Sequence, residues 1–216
     1  MGRQADRQKK RGSVARAFFF GPLLLCLAGC ATSAPKGEVS IYPSPQSQPT
    51  HQVVGDSIVA SLGGASVTAR WLNPPGVEQF FEGKPGLVSP WPKEAWKDAP
   101  LNVFFLRIRN QTSDEVQFDP TLAFLVTQDG LRERPISYED MYTRLEGTEG
   151  ANARLQSLQA VLLSRFVVIA AGGQREGLLV FPVLTPDAKH LLLELVSFSR
   201  PALEGLENYF KPEMPL

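Results

Sequence analysis

Short runs of alternating apolar and polar residues follow one another through most of the sequence, and each run ends at a turn signal. Between residues 65 and 72, Val67, Ala69 and Trp71 alternate with polar residues. A period of two is typical of a β-strand with one buried face. A Gly63-Gly64 turn pairs this run with the preceding one as a hairpin. About eight or nine such strands predict a mainly β fold, an antiparallel β-sandwich.

Helical periodicity interrupts this pattern between residues 137 and 164. Ser137 is a candidate N-cap, and apolar residues three and four positions apart follow it. Gly150 separates this stretch from a second one of the same kind. We expect an inserted pair of helices that packs against the sheet.

Residues 73–100 are rich in proline and glycine, which predicts a long irregular connection without extended regular structure. The segment nevertheless contains four large aromatic residues: Phe80, Phe81, Trp91 and Trp96. Exposed aromatic side chains mark binding sites, so these four are candidate binding residues. The alternative is that the rings fold back and cover one open end of the sandwich.

The first 30 residues have the order of a secretory signal peptide: a basic head, an apolar run and small residues. The apolar run, from Ala17 to Ala28, is shorter than the roughly 20 residues that a membrane-spanning helix needs. An uncleaved membrane anchor remains one alternative. An ordinary secretory signal with an incidental cysteine is another.

The ending Leu27-Ala28-Gly29-Cys30 resembles the lipobox of bacterial lipoproteins. The resemblance implies cleavage between Gly29 and Cys30, diacylglycerol on the Cys30 thiol and acylation of the new N-terminus. Two or more acyl chains give stable membrane attachment. Ala31 follows the cysteine where enteric-type sorting would use Asp for inner-membrane retention. The implied location is therefore the outer membrane, facing the periplasm, with the inner membrane as the alternative.

The run from Asn102 to Pro120 resembles the central strand and turn of immunoglobulin-like bacterial lipoproteins, in which an apolar strand ends in Asn-x-Thr, here Asn110 to Thr112. The run 172–181 is similar to their late hairpin. The resemblance implies an immunoglobulin-like sandwich. This chain departs from the pattern in its helical pair and in lacking the cysteine pair of antibody domains. Many such lipoproteins have no assigned function, so the resemblance implies a fold more than an activity.

These features divide the 216 residues into four parts. Residues 1–29 are the expected signal peptide, and 30–56 are the lipidated cysteine with a disordered tether rich in Pro, Ser, Thr and Gln. The sandwich occupies residues 57–200. An irregular tail, 201–216, follows it.

Composition limits the chemistry that the expected mature domain can perform. The two cysteines of the chain, Cys26 and Cys30, belong to the expected signal peptide and lipid site, which leaves the mature domain with no disulfide and no free thiol. Six of the 22 basic residues and one of the 22 acidic residues precede Cys30, so the remainder has a net charge of about −5. That charge argues against nucleic acid. The acidic cluster 114–119 lacks the spacing of a calcium loop, and we expect no metal or cofactor.

Catalytic groups are sparse. His51 lies in the predicted tether, and His190 follows Asp187 without a recognisable nucleophile motif. We expect a non-enzymatic accessory or binding module for an envelope protein partner, attached to the membrane through Cys30. One alternative is a carbohydrate- or peptidoglycan-binding module, which predicts that the rings of Trp91 and Trp96 are exposed and roughly coplanar. A less favoured alternative is an envelope hydrolase that uses His190 or a carboxylate pair.

Overall fold

The computed structural model describes residues 40–91, 101–184 and 188–195, together with the backbone of two short strands at 198–199 and 212–213. The expected signal peptide, Cys30, the first part of the tether, Trp96 and most of the tail lie outside the described residues. Within them, the chain is mainly β, with antiparallel sheets and three helices.

Three helices and thirteen strands make up the described part of the chain. The helices are α1 (Pro74–Glu82), α2 (Tyr138–Leu145) and α3 (Ala151–Val161), and a 3-10 turn spans Pro120–Leu122. The strands are β1 (Tyr42–Pro43), β2 (His51–Val54), β3 (Ser57–Leu62), β4 (Ala65–Leu72), β5 (Asn102–Asn110), β6 (Val116–Phe118), β7 (Ala123–Thr127), β8 (Arg132–Glu133), β9 (Val167–Ile169), β10 (Gln174–Phe181), β11 (Leu191–Leu195), β12 (Phe198–Ser199) and β13 (Pro212–Glu213).

The largest sheet has five strands in the order β10–β5–β4–β3–β2. Two three-stranded sheets have the orders β11–β7–β8 and β12–β6–β9, and β1 pairs with β13. The predicted hairpin around Gly63-Gly64 is present as β3 and β4, with Ile58 opposite Ala69. In the next pair, Ala69 lies opposite Leu106.

One face of the five-stranded sheet carries the larger apolar core. Phe104, Leu106 and Ile108 on β5 are buried there, as their alternation predicts. Buried side chains from the two three-stranded sheets belong to the same core, among them Phe118 of β6 and Leu125 of β7. Burying one such leucine or phenylalanine contributes about 1.5–3 kcal/mol.

A second core lies on the opposite face, where the three helices pack. Phe105 of β5 and Leu178 of β10 are buried there with Phe81 of α1, Met141 of α2 and Leu158 of α3. The inner strand β5 and the neighbouring end strand β10 therefore carry buried apolar residues on both faces, such as Phe104 and Phe105 on β5. The predicted helical pair is confirmed as α2 and α3.

The sequence predicts a disordered tether that reaches residue 56, and this boundary is too late in the chain. Residues 40–56 contain β1 and β2, and Ile41 and His51 are only 7% and 6% exposed. β2 pairs with β3 from His51 opposite Ala60 to Val54 opposite Ser57. This pairing satisfies backbone groups of β3 that an edge strand would otherwise leave open, and it explains why a polar segment is ordered.

The proline-rich connection also contains more regular structure than predicted. Pro74 and Pro75 occupy the first positions of α1, where a helix needs no backbone N–H donors. The Asn73 side-chain oxygen accepts a hydrogen bond from the backbone N of Gly76 at 2.8 Å. The prolines therefore start a helix here instead of preventing one.

Two further expectations need correction. β9 and β10 are consecutive strands, but β9 pairs with β6 and β10 pairs with β5, so the Gly172-Gly173 turn joins two sheets and forms no hairpin. The predicted irregular tail contributes β13, in which Glu213 lies opposite Tyr42.

Candidate functional site

A groove lies on the helix-bearing face of the five-stranded sheet, next to the end of α1. Its volume is about 340 Å³, within the range of about 300–1,000 Å³ typical of ligand pockets. We call it the basic groove. Its lining residues come from β3, β4, β5, β10 and the end of α1: Ser57, Thr68, Arg70, Phe80, Gly83, Lys84, Phe105, Arg107 and Glu176.

The end of α1 forms one wall of the basic groove. The helix stops at Gly83, whose backbone N–H donates to Gln79 O at 3.2 Å. Phe80 from the last turn and Lys84 just beyond it line the groove, and Lys84 Nζ lies 4.8 Å from the centre of the Phe80 ring. At this distance the ammonium is attracted to the face of the ring.

The Phe105 ring, from β5, joins this wall to the sheet. Its centre lies 5.9 Å from that of Phe80. The guanidinium carbons of Arg70 and Arg107 lie 5.8 and 5.6 Å from the same ring centre. Two permanently charged groups on neighbouring strands therefore flank one aromatic ring.

Charge in the basic groove is positive overall. Three cations line it against one carboxylate, that of Glu176. Arg107 Nε donates to Glu176 Oε1 at 2.5 Å. Arg70 pairs with Asp56 at 3.4 Å, but both side chains are exposed, at 38% and 67%, so water competes with this ion pair. The arrangement can bind an anionic group beside a flat or apolar one.

The four predicted binding aromatics do not form one exposed platform. Phe80 lines the basic groove, whereas Phe81 is buried, with its ring 5.2 Å from that of Phe80. Trp91 is half-buried and packs against Phe81, with ring centres 5.8 Å apart and planes at 59°. Trp96 lies outside the described residues.

The two histidines lie in unrelated surroundings. His51 is buried on β2, and its Nδ1 lies 2.9 Å from Thr50 Oγ1. His190 is exposed, and its backbone N–H donates to Gln128 Oε1 at 3.1 Å. Asp187 lies outside the described residues. In the described part of the chain, no three His, Cys, Asp or Glu side chains are grouped so as to hold a metal ion.

Sequence reasoning singled out Phe80 but missed the three cations of the basic groove. A signal was present, because Arg70 and Arg107 interrupt apolar strands at positions that alternate with buried residues. Their meeting at Phe105 depends on the β4–β5 register, in which Arg70 lies opposite Phe105. The position of Lys84 beside Phe80 depends on α1, a helix that the sequence does not predict.

No helix within residues 40–91, 101–184 and 188–195 has both the length and the apolar character needed to cross a bilayer.

Comparisons with known proteins identify no family for this chain. No family model matches the chain, and no curated protein matches it either. The crystal structure of the yjhA protein from Bacillus subtilis is 13% identical over 67% of this chain and 81% of that one, with a TM-score of 0.34. Overlap at this TM-score is too low to indicate a shared fold.

Proposed function

We propose that this protein is a lipid-anchored bacterial envelope protein whose domain binds a protein partner through the basic groove and catalyses no reaction. The grouping of Arg70, Arg107 and Lys84 around the rings of Phe80 and Phe105 carries the proposal. Arginine and aromatic side chains are enriched among the residues that dominate binding energy at protein interfaces.

The anchor in this proposal is Cys30. The lipobox ending at Cys30 supports cleavage after Gly29 and acylation of the thiol. The position of Ala31 supports an outer-membrane, periplasm-facing location. The protein would then act close to the membrane, as an accessory subunit of an envelope complex.

The proposed fold of the domain is an immunoglobulin-like antiparallel β-sandwich. Its support is the larger core, which combines side chains of the five-stranded sheet with those of both three-stranded sheets. The helical pair α2–α3 would lie on the outer face of this sandwich, against the second core.

Photo-crosslinking in intact cells tests the binding function. Thr68 lines the basic groove and is replaced by p-benzoylphenylalanine. The control carries the same group at Thr121, an exposed position on the 3-10 turn that is not part of the groove lining. We expect position 68 to give a discrete adduct with an envelope protein and position 121 to give none.

Two results contradict the proposal. Equal adducts from both positions would mean that the groove is not the contact. Recovery of peptidoglycan or sugar fragments from position 68, with no protein, would instead favour a carbohydrate-binding module in which Phe80 provides the stacking ring.

A further inference from the structure

We infer that the basic groove and the sheet face beside it bind an extended acidic peptide segment in which carboxylates alternate with other residues. The inference rests on the proposed function, because it names the ligand class of the same groove. It is carried by the positions of the cations on the sheet, by their charge and by the rings next to them.

The cations follow the strands. Arg107 lines the basic groove and Arg109, two positions further along β5, is exposed on the same face. Residues two apart on a strand are separated by about 7 Å. An extended peptide has the same repeat between alternate side chains, so a segment aligned with β5 can present one carboxylate to each arginine.

Hydroxyl groups accompany the arginines. In the antiparallel pairing of β4 with β5, Thr68 lies opposite Arg107 and Ser66 lies opposite Arg109. Neighbouring strands are about 4.8 Å apart, which brings a hydroxyl donor within reach of a carboxylate bound at either guanidinium. Arg70 adds a third cation on β4, two positions from Thr68.

This arrangement favours carboxylates over a phosphate group. A phosphate is held best by donors that converge on one point, whereas Arg107 and Arg109 are spread along a strand. The groove also contains Glu176, already bonded to Arg107 at 2.5 Å, which repels a dianion more than a single carboxylate.

The rings define one end of the expected ligand. Phe80 and Phe105 lie at the end of this face nearest α1, with Lys84 beside them. An aromatic or aliphatic side chain next to the acidic segment can pack on these rings. The expected ligand is therefore an acidic, extended segment that ends in an apolar residue.

Fluorescence anisotropy with two labelled peptides tests this inference on the acylated protein in non-ionic detergent. One peptide is Glu-Thr-Glu-Thr-Glu-Phe, and the other, Glu-Glu-Glu-Thr-Thr-Phe, has the same composition with contiguous acids. We expect saturable binding of the alternating peptide, tighter than that of the contiguous one by about fivefold and weakened by added salt.

Arginine variants test where on the protein the peptide binds. Arg70→Gln and Arg109→Gln should each weaken binding by about three- to tenfold without lowering the melting temperature, since both side chains are at least partly exposed. Arg132→Gln is the matched control. Arg132 also lies over a phenylalanine ring, 4.2 Å from the centre of Phe124, and pairs with Glu194, but it belongs to β8. It should leave binding unchanged.

Several results would overturn the inference. Equal affinity for both peptides, or an equal loss in Arg132→Gln, would show non-specific charge attraction. Displacement of the peptide by millimolar inorganic phosphate would indicate a phosphate site, and displacement by phosphatidylglycerol vesicles would indicate a lipid surface. A groove-specific protein crosslink without peptide binding would reject this ligand class and leave the proposed function standing. If neither the protein crosslink nor peptide binding is seen, both the ligand class and the proposed function are rejected.

Discussion

Asn110 is only 1% exposed and connects three separate parts of the chain. Its side-chain nitrogen donates to Asp114 O at 2.7 Å and to the carbonyl oxygens of Ile169 and Ala170 at 3.0 Å each. Its side-chain oxygen accepts from Thr112 N at 3.0 Å and from Thr112 Oγ1 at 2.6 Å. The end of β5, the turn before β6 and the end of β9 therefore depend on one amide group.

Replacing Asn110 by alanine should lower the free energy of unfolding by about 2–4 kcal/mol, because the buried hydrogen bond to Ile169 O and the two partly buried ones to Asp114 O and Ala170 O are lost. Urea denaturation measures the change. Asn102→Ala is the control, since Asn102 is also buried but, among the described residues, its side chain makes one hydrogen bond, to Pro182 O at 2.9 Å. It should cost about 1 kcal/mol. Equal losses in the two variants would contradict the connecting role of Asn110.

The sequence allowed only part of this network to be predicted. Asn110 and Thr112 were recognised as the end of a strand followed by a turn, which is a local property of the sequence. The acceptors at Ile169 and Ala170 lie about 60 positions further on. They reach Asn110 only because β9 pairs with β6, and no local pattern contains that pairing.

Helix α1 connects the second core to the basic groove. Phe80 and Phe81 are adjacent in sequence, so their side chains point in different directions around the helix. Phe81 is 3% exposed in the second core, and Phe80 lines the groove. One short helix thus contributes both to stability and to the proposed binding site.

Alanine substitutions should separate these two contributions. Phe81→Ala should destabilise the domain by about 3–4 kcal/mol, because it leaves a cavity in a packed core. Phe80→Ala, the adjacent control, should cost about 1 kcal/mol while weakening peptide binding. Urea denaturation and fluorescence anisotropy measure the two effects. A larger loss of stability for Phe80→Ala than for Phe81→Ala would contradict this assignment.

The predictability of each element depends on how local its signal is. Strands β3, β4 and β5 and helices α2 and α3 follow from periodicity and turn residues within a few positions. Helix α1 was missed because proline and glycine usually end regular structure, whereas Pro74 and Pro75 are at the positions that tolerate them. The basic groove was missed because it exists only once α1 and the β4–β5 register are known.

Strand structure is present at earlier positions than the sequence predicts, because β1 and β2 precede Ser57. Because residues 30–39 belong to the tether expected from the sequence, a protein that starts at Ser40 should have the same free energy of unfolding as one that starts at Cys30. One that starts at Ser57 lacks β1, β2 and the buried side chain of Ile41. It should lose about 3–5 kcal/mol, a large share of the total for a domain of this size. Urea denaturation compares the three proteins, and equal stability of all three would contradict the revised boundary.

Membrane attachment can be tested separately from folding. Under the proposed function, Cys30→Ala should abolish labelling with radioactive palmitate and release the protein from the membrane fraction, because no acyl chain remains to anchor it. Cys26→Ala is the matched control, since Cys26 lies in the expected signal peptide, and it should keep both label and location. Labelling that persists in Cys30→Ala would reject the lipid site.

The position of β5 between β4 and β10 has a consequence for how the chain folds. The β3–β4 hairpin is local in sequence, whereas β10 pairs with β5 across more than 60 intervening residues. Pairings of long sequence separation form late, so we expect one edge of the apolar strand β5 to be open for part of the folding process. Open apolar edges promote aggregation, and charged residues within or beside them oppose it. Arg107 and Arg109 would then act as gatekeepers that keep the incomplete sheet soluble until β10 arrives.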